Sequence, residues 1–202
     1  MAVRIKGTDF VYFPVPKVGC TALKLAIMQH NNPRKYARAE RHVERVHGWR
    51  GYRTPPWAWE WRTWVRPRSM RAFCIIRDPI DRFVSGYRTR IAYWRDLGEQ
   101  MPDINDFALH LEDHCKADNH IRHHFMPMVE FTGRDPSFYD RVFLLEEIGL
   151  IPDYVGVPLA ISRAQEGGPK MARADVSEKA LAHLQHFYAD DYRVWGSSLK
   201  RG

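Results

Sequence analysis

A lysine, a glycine and a threonine stand where the sequence changes from a strand pattern to a helix pattern. Lys17, Gly19 and Thr21 follow the aromatic and β-branched run Phe10–Phe13, and good helix-forming residues come next, with Thr21 as the expected cap. Gly19 permits a turn conformation that is closed to most other residues. A helix start presents free backbone N–H groups and the positive end of its dipole, here beside Lys17. This order of residues predicts a cradle for a phosphate or sulfate group.

A second pair of anion-binding residues lies further along the chain. Arg77 ends the apolar run Arg71–Ile76, and Ser85 follows within a predicted helix. An arginine and a hydroxyl that converge from a strand and a helix can hold a phosphate by charge-assisted hydrogen bonds. The two sites together predict a ligand with two separated phosphate-like ends.

Strand and helix patterns alternate along the chain, and the predicted strands and helices must position these residues. Strands are predicted at Phe10–Phe13, Arg71–Ile76 and residues 138–145, and helices at residues 21–31, 80–94, 104–115 and 177–192, with Asp78 and Pro79 opening the second helix. This alternation predicts an α/β fold with a parallel sheet. Ligands bind beyond the carboxyl ends of such strands, where both Lys17 and Arg77 fall.

Length and charge suggest one domain that binds anions with its first half. The 202 residues, of which 45% are hydrophobic, suit a single domain spanning residues 1–202. The first 100 residues hold 20 Lys and Arg against 8 Asp and Glu, whereas the remainder holds 11 against 16. Such a basic half suits nucleotides, sulfated or phosphorylated substrates, or nucleic acid.

The cysteines indicate a reducing compartment. Cys20, Cys74 and Cys115 have no metal-type spacing, and their odd number leaves at least one unpaired. No charged-then-apolar leader opens the sequence, and no run of about 18 apolar residues occurs. We therefore expect a cytoplasmic protein without a membrane span.

The first anion site differs from the phosphate loop of ATPases and kinases. A Walker A loop requires Gly-x-x-x-x-Gly-Lys-Ser/Thr, whereas here Lys17 precedes Gly19 and no Gly-Lys pair follows. The loop also lacks a serine or threonine directly after the lysine, which would hold magnesium. These differences argue against an ATPase or a kinase.

Both motifs resemble those of the sulfotransferases, in particular the Golgi-type carbohydrate sulfotransferases. Pro16-Lys-Val-Gly-Cys-Thr-Ala-Leu-Lys24 is similar to their 5′-phosphosulfate loop. Arg77-Asp-Pro-Ile-Asp-Arg-Phe-Val-Ser-Gly-Tyr87 is similar to their 3′-phosphate motif, Arg-Asp-Pro-x-x-Arg-x-x-Ser-x-Tyr. Weaker likeness continues through residues 118–127, 139–146 and 191–196, so that the resemblance covers nearly the whole chain.

The resemblance implies a three-layer, P-loop-like fold and a specific reaction. Family members transfer a sulfuryl group from 3′-phosphoadenosine 5′-phosphosulfate (PAPS) to a hydroxyl or amine, here of a carbohydrate or glycoconjugate, and release 3′-phosphoadenosine 5′-phosphate (PAP). No metal takes part. Lys17 would be catalytic, because it would stabilise negative charge on the leaving nucleotide. The donor-binding residues would be Lys17, Val18, Gly19, Cys20, Thr21, Ala22, Arg77 and Ser85.

A general base must accept the proton of the acceptor, and relatives place a Glu or His after the first helix. The candidates are Glu40, His42, Glu44 and His47. An unperturbed histidine titrates near ~6.5 and suits this task. His42 is preferred, followed by His47; the alternative is that these polar residues are solvated surface groups.

Aromatic residues and histidines suggest where an acceptor binds. Trp57 and Trp61 belong to a cluster of four tryptophans, and they are either core residues or a stacking platform for a sugar. His120 and His124 either position the acceptor or have a structural role.

Other readings of the sequence have weaker support. A zinc site is one such alternative, formed by His110 and His114 with Cys115, His120, His123 and His124 nearby. The spacing is not His-Glu-x-x-His, and the preferred interpretation has no metal. A noncatalytic nucleotide- or anion-binding protein remains the main alternative. Nucleic-acid binding by the basic half, with tryptophans stacking on bases, is a further alternative; the preferred partner is a small-molecule or glycan acceptor.

Overall fold

The centre of the fold is a small, mainly parallel sheet. The computed structural model describes residues 2–39, 46–47, 51–52, 69–99, 101–162 and 168–200. Within these residues the strand order is β1-β2-β3-β4, with β1 at Val3–Arg4, β2 at Phe10–Phe13, β3 at Arg71–Ile76 and β4 at Arg141–Leu144. β1 is antiparallel to β2, whereas β2, β3 and β4 are parallel.

The apolar composition of the central strands explains their position. All four residues of β2 are buried, and β3 is buried from Ala72 to Ile76. Strands buried on both faces need helices on both sides of the sheet. The predicted α/β fold, a mainly parallel sheet flanked by helices, is therefore confirmed.

Helices make up most of the remaining described chain. They are α1 (Cys20–Asn31), α2 (Pro33–Ala39), α3 (Pro79–Gly86), α4 (Ile104–Leu109), α5 (Leu111–Ala117), α6 (Asn119–Phe125), α7 (Val129–Thr132), α8 (Ile151–Val155), α9 (Glu178–Phe187) and α10 (Ala189–Leu199). A π-helix spans Tyr87–Tyr93, and 3-10 turns span Pro136–Phe138, Leu145–Leu150 and Arg173–Asp175.

The start of α1 differs from the sequence prediction in one respect. The helix follows β2 and ends at Asn31, as expected, but its cap is Gly19, with φ 77° and no side-chain capping bond. The prediction that Thr21 caps the helix is wrong, because Thr21 lies inside the first turn. Its hydroxyl instead hydrogen-bonds to His47.

The helix after β3 begins as predicted and then changes type. The carboxylate of Asp78 accepts hydrogen bonds from the N–H groups of Ile80 and Asp81 at 2.8 and 3.2 Å, and Pro79 occupies the first turn. The predicted α-helix to residue 94 is wrong beyond Gly86, where the π-helix begins. There the Thr89 hydroxyl donates to the carbonyl of Ser85, a side-chain bond that competes with regular helical pairing.

Three other predicted elements differ in their bounds. The predicted helix at 104–115 is divided at His110 into α4 and α5. The predicted strand at 138–145 is shortened to β4, because the Asp135 side chain caps a 3-10 turn just before it. The predicted terminal helix ends at Phe187, and α10 follows it.

The last helix is tied to the start of α7 by a buried carboxylate. Asp191 accepts hydrogen bonds from the N–H groups of Met128 and Val129 at 2.8 and 2.9 Å. Burial raises the pKa of Asp191 to about 6, while Arg82 and the two N–H groups act in the opposite direction. The closing segment of the chain thereby holds the start of α7 in place.

All three cysteines are free thiols, as expected for a reducing compartment, and all three are buried. None of the helices in the described ranges combines the length and the apolar character needed to cross a bilayer.

Candidate functional site

One cavity brings the two predicted anion sites together. Its volume is about 770 Å³, and it opens at the carboxyl ends of β2 and β3. Its wall includes these predicted donor-binding residues: Lys17, Gly19, Cys20, Thr21, Ala22, Arg77 and Ser85. The side chain of Val18, in contrast, is fully buried in the hydrophobic core.

The loop between β2 and α1 has an unusual backbone. Lys17 has φ 67° and Gly19 has φ 77°, both in the left-handed region. A Cβ at Gly19 would lie 3.0 Å from the Cδ1 atoms of Leu145 and Ile148, so a larger residue there would have to displace these side chains and adopt a left-handed backbone that favours glycine. Strained backbone of this kind is found where the surrounding structure holds a functional loop in place.

Lys17 lies in a strongly positive environment. Burial lowers its pKa to about 8, and the charges of Arg90, Arg88 and Arg77 act in the same direction, while Cys20 opposes them. Its Nζ donates a hydrogen bond to Oγ1 of Thr89. Four cationic side chains around one cavity favour the binding of an anion with several negative charges.

Arg88 adds a cation to the second site that the sequence had not identified. Arg88 lies three residues after Ser85, so both side chains project from the same side of the helical segment. Its Nε is buried and, among the described residues, has no hydrogen-bond partner. Burial lowers the pKa of Arg77, and Arg88 contributes to this shift, while Asp81 and Glu146 oppose it. The Ser85–Arg88 spacing was the signal available in the sequence.

The π-helix supplies consecutive residues to the cavity wall. Arg88, Thr89 and Arg90 all line the cavity, and so does Trp94 directly after the π-helix. π-Helical turns are rare and occur frequently at functional sites. The change of helix type thus coincides with the part of the chain that lines the cavity.

Two of the predicted acceptor residues, His120 and His124, also line the cavity. Arg90 binds Asp96 through Nε and Nη2 at 2.7 and 2.9 Å and donates to Nδ1 of His120 at 3.2 Å. Nε2 of His120 lies 3.1 Å from Nε2 of His124. Arg90, His120 and His124 thus form a connected series of polar contacts along the cavity wall. Burial, together with His123 and Arg90, lowers the pKa of His124 far below its usual value.

Arg82 fixes these histidines to α3. Its fully buried guanidinium donates to the carbonyl groups of His124 and Phe125 at 3.3 and 3.2 Å and to that of Met126. It also lies 5.5 Å from the centre of the Tyr188 ring. The second arginine of the Arg-Asp-Pro-x-x-Arg motif therefore connects the second anion site to the histidine segment.

His47 lies in the cavity wall beside α1. Its Nε2 is 2.9 Å from Oγ1 of Thr21, and its Nδ1 is 3.1 Å from Nζ of the fully buried Lys24. Burial lowers the pKa of His47 to about 3, and the charges of Lys24, His123 and Lys17 contribute. Sequence reasoning had not linked His47 to Thr21 or Lys24, because helix periodicity does not predict which later residue will contact a helix.

Several predicted site residues lie outside the described part of the chain. These are Glu40, His42, Glu44, Trp57 and Trp61. Among the residues that are described, no group of three or more His, Cys, Asp or Glu side chains is arranged to hold a metal ion.

Comparison with known proteins agrees with the geometry of this cavity. The family model described as "Sulfotransferase family" matches residues 3–155, a segment that contains both predicted anion sites and the histidines of the cavity wall. Searches of curated proteins and of solved structures returned no match to the chain. Since the matched segment covers more than half of the sequence, the protein belongs to the sulfotransferase family.

Proposed function

We propose that the protein transfers a sulfuryl group from PAPS to a hydroxyl or amine of a small-molecule or glycan acceptor. The observation that carries this proposal is the single cavity bordered by the loop at Lys17 and by the pair Arg77 and Ser85. A ligand with a phosphosulfate at one end and a phosphate at the other matches two cationic sites in one cavity.

The residues around the cavity fit this donor. Lys17 and the free N–H groups at the start of α1 would hold the 5′-phosphosulfate. Arg77, Ser85 and Arg88 would hold the 3′-phosphate, and this phosphate would give the buried Nε of Arg88 a partner. When bound, the donor supplies the sulfuryl group and leaves as PAP.

Lys17 would lower the barrier of the transfer. As the acceptor atom bonds to sulfur and the bond from sulfur to the 5′-phosphate oxygen breaks, the electron pair stays on that oxygen. The Lys17 ammonium group would stabilise this charge, as preorganised cations do in phosphoryl transfer. The acceptor's proton passes to a general base.

We assign the general base to His42, the first choice from the sequence. His47, the second choice, has a pKa of about 3, and a base works best with a pKa near the working pH. His42 lies in the same short stretch after the first helix, outside the described residues.

A carbohydrate or glycoconjugate is the proposed acceptor. Trp94 lines the cavity and is 54% exposed, next to the equally exposed Tyr93. An exposed aromatic ring beside a polar cavity suits the apolar face of a sugar, and His120 and His124 would bind hydroxyl groups nearby. Trp57 and Trp61 stay predicted contributors to acceptor binding.

We also propose a cytoplasmic location for the protein, which the three buried thiols support.

Transfer assays with sulfur-labelled PAPS test the proposal directly. The protein is incubated with labelled donor and a panel of saccharides, alcohols and amines, and labelled product is counted. We expect label on at least one saccharide and its loss in Lys17→Met. Binding of PAP without transfer to any acceptor would favour the noncatalytic alternative. A protein that neither binds PAP nor transfers label would contradict the proposal.

A further inference from the structure

Three side chains form a continuous hydrogen-bonded chain from the core to the cavity. Nζ of Lys24 lies 3.1 Å from Nδ1 of His47, and Nε2 of the same ring lies 2.9 Å from Oγ1 of Thr21. Lys24 is fully buried in α1, whereas His47 and Thr21 line the cavity. The chain therefore starts at a buried cation and ends at a hydroxyl in the loop that faces the ligand.

The chemistry of the three groups sets the direction of these hydrogen bonds. A lysine ammonium group only donates, so Nδ1 of His47 must accept from Lys24. A neutral imidazole that accepts at Nδ1 carries its proton on Nε2, and this N–H then donates to Oγ1 of Thr21. The hydroxyl hydrogen of Thr21 is consequently directed away from His47 and is available to a ligand oxygen.

The protonation states agree with this direction. Burial lowers the pKa of Lys24 to about 8, with Cys20 opposing, so that most of the Lys24 population is charged at neutral pH. The pKa of His47, about 3, keeps its ring neutral under the same conditions. Lys24 is therefore charged and His47 neutral, as the direction of the hydrogen bonds from Lys24 to His47 and from His47 to Thr21 requires.

We propose that Lys24 and His47 are positioning residues that orient the Thr21 hydroxyl as a hydrogen-bond donor to the 5′-phosphosulfate of the bound donor. The role rests on the proposed function, because it assumes that the α1 loop binds this group. It replaces the role of general base that the sequence suggested for His47, since the Nε2 that faces Thr21 already carries a proton. The positive charge of Lys24 also strengthens the hydrogen bond that Thr21 would donate to the anion, because each hydrogen bond in the series polarises the next.

The tautomer of His47 tests the chain without any ligand. Long-range ¹⁵N–¹H NMR spectra distinguish the two neutral tautomers and the charged ring, and a His47→Phe variant assigns the signals. At pH 7 we expect a neutral ring with the proton on Nε2. In Lys24→Met the Nδ1 proton form should become populated, because the donor to Nδ1 is gone. A wild-type ring that is charged, or protonated at Nδ1, would overturn the proposal.

A double-mutant cycle tests the effect on the donor site. The affinity for PAP is measured by calorimetry for Thr21→Val, Lys24→Met and the double variant. Each single change should weaken binding by roughly tenfold, the effect of one charge-assisted hydrogen bond. The double variant should bind no more weakly than Thr21→Val, since Lys24 acts through Thr21.

Control variants distinguish loss of the positioning role from loss of folding and from failure of the proposed function. Thr21→Ser keeps the hydroxyl and should retain most of the affinity, and Lys35→Met removes an exposed lysine of α2 and should leave it unchanged. Thermal unfolding shows whether each variant is folded. The positioning role would be overturned if the losses of PAP affinity in Thr21→Val and Lys24→Met added in a folded double variant. It would also be overturned if Lys24→Met bound PAP with wild-type affinity. A wild-type protein that does not bind PAP would contradict the proposed function, while the NMR result would still decide the His47 tautomer.

Discussion

Nζ of Lys17 donates a hydrogen bond to Oγ1 of Thr89, a residue 72 positions further along the chain. Thr89 in turn donates to the carbonyl group of Ser85. One contact therefore joins the loop after β2 to the π-helix that follows α3. Because Lys17 and Ser85 belong to the two predicted anion sites, Thr89 sets the position of the lysine relative to both.

Thr89→Val should impair transfer more than it impairs donor binding. Valine has nearly the shape of threonine but no hydroxyl, so that Lys17 loses its partner while the packing is kept. We expect kcat to fall by roughly tenfold, as for loss of one hydrogen bond to a charged group, and PAP affinity to change by less than about threefold. Steady-state kinetics and calorimetry measure the two effects. Thr89→Ser should restore kcat; if both variants have wild-type kcat, Thr89 does not position Lys17.

The contribution of Lys17 to donor binding should decrease at alkaline pH. Its pKa is about 8 because of burial and the nearby charges of Arg90, Arg88 and Arg77, so the free protein loses this positive charge as the pH rises through 8. A bound anion favours the charged form. We expect the ratio of PAP affinities between wild type and Lys17→Met to be large at pH 7 and to shrink by pH 9, measured by calorimetry. A constant ratio over this range would exclude a lysine that titrates near pH 8.

Gly19→Ala should cost more stability than the matched change Gly7→Ala. Both glycines have φ 77°, but a Cβ at Gly7 meets no atom within 4 Å, whereas one at Gly19 meets Leu145 and Ile148 at 3.0 Å. Gly7→Ala should lose about 1–2 kcal/mol, the cost of the left-handed backbone. Urea unfolding of Gly19→Ala should show a larger loss, together with weaker PAP binding. If the two variants lost equal free energy of unfolding, the loop would be able to move away from Leu145 and Ile148 without a cost in stability.

The folded protein should become less stable as the pH falls below 6.5. Burial lowers the pKa of His47 to about 3 and that of His123 to about 4, from the usual 6.5. The unfolded chain therefore takes up protons before the folded one, and the stabilising contribution present above pH 6.5 is lost as the pH falls toward these values. Asp191, whose pKa is raised to about 6, acts in the opposite direction.

Urea midpoints between pH 7 and 4.5 measure this dependence. His123→Gln should flatten the pH profile, whereas His186→Gln, a change at an exposed histidine of α9, should leave its slope unchanged. A profile for His123→Gln that is as steep as the wild type would show that His123 does not contribute.

The parts of the fold that sequence predicted well are those with a strong local signal. β2 and β3 are short, continuously apolar runs, and such runs form buried parallel strands. The pair Asp78 and Pro79 marks a helix start by its own chemistry, since an Asp side chain caps the first N–H groups and Pro needs no partner there. Both anion sites were predicted because their residues directly follow these strands, and the structure brings these residues to one cavity.

The parts that were missed depend on contacts between distant residues. The π-helix has the apolar spacing of an ordinary helix, and the Thr89–Ser85 bond within it cannot be read from that spacing. Arg82 and Lys24 are charged residues in helices, for which the usual expectation is exposure, yet both are fully buried against polar groups from other segments. Their partners became known only from the folded chain.

The most direct test of the two-ended donor site is the discrimination between PAP and adenosine 5′-phosphate, which lacks the 3′-phosphate. We expect the wild-type protein to bind PAP at least about tenfold more tightly in calorimetry, as loss of a charge-assisted contact implies. Arg77→Met should lose most of this preference while its affinity for adenosine 5′-phosphate changes little. Equal affinities of the wild-type protein for the two nucleotides, or no binding of PAP at millimolar concentration, would contradict the account.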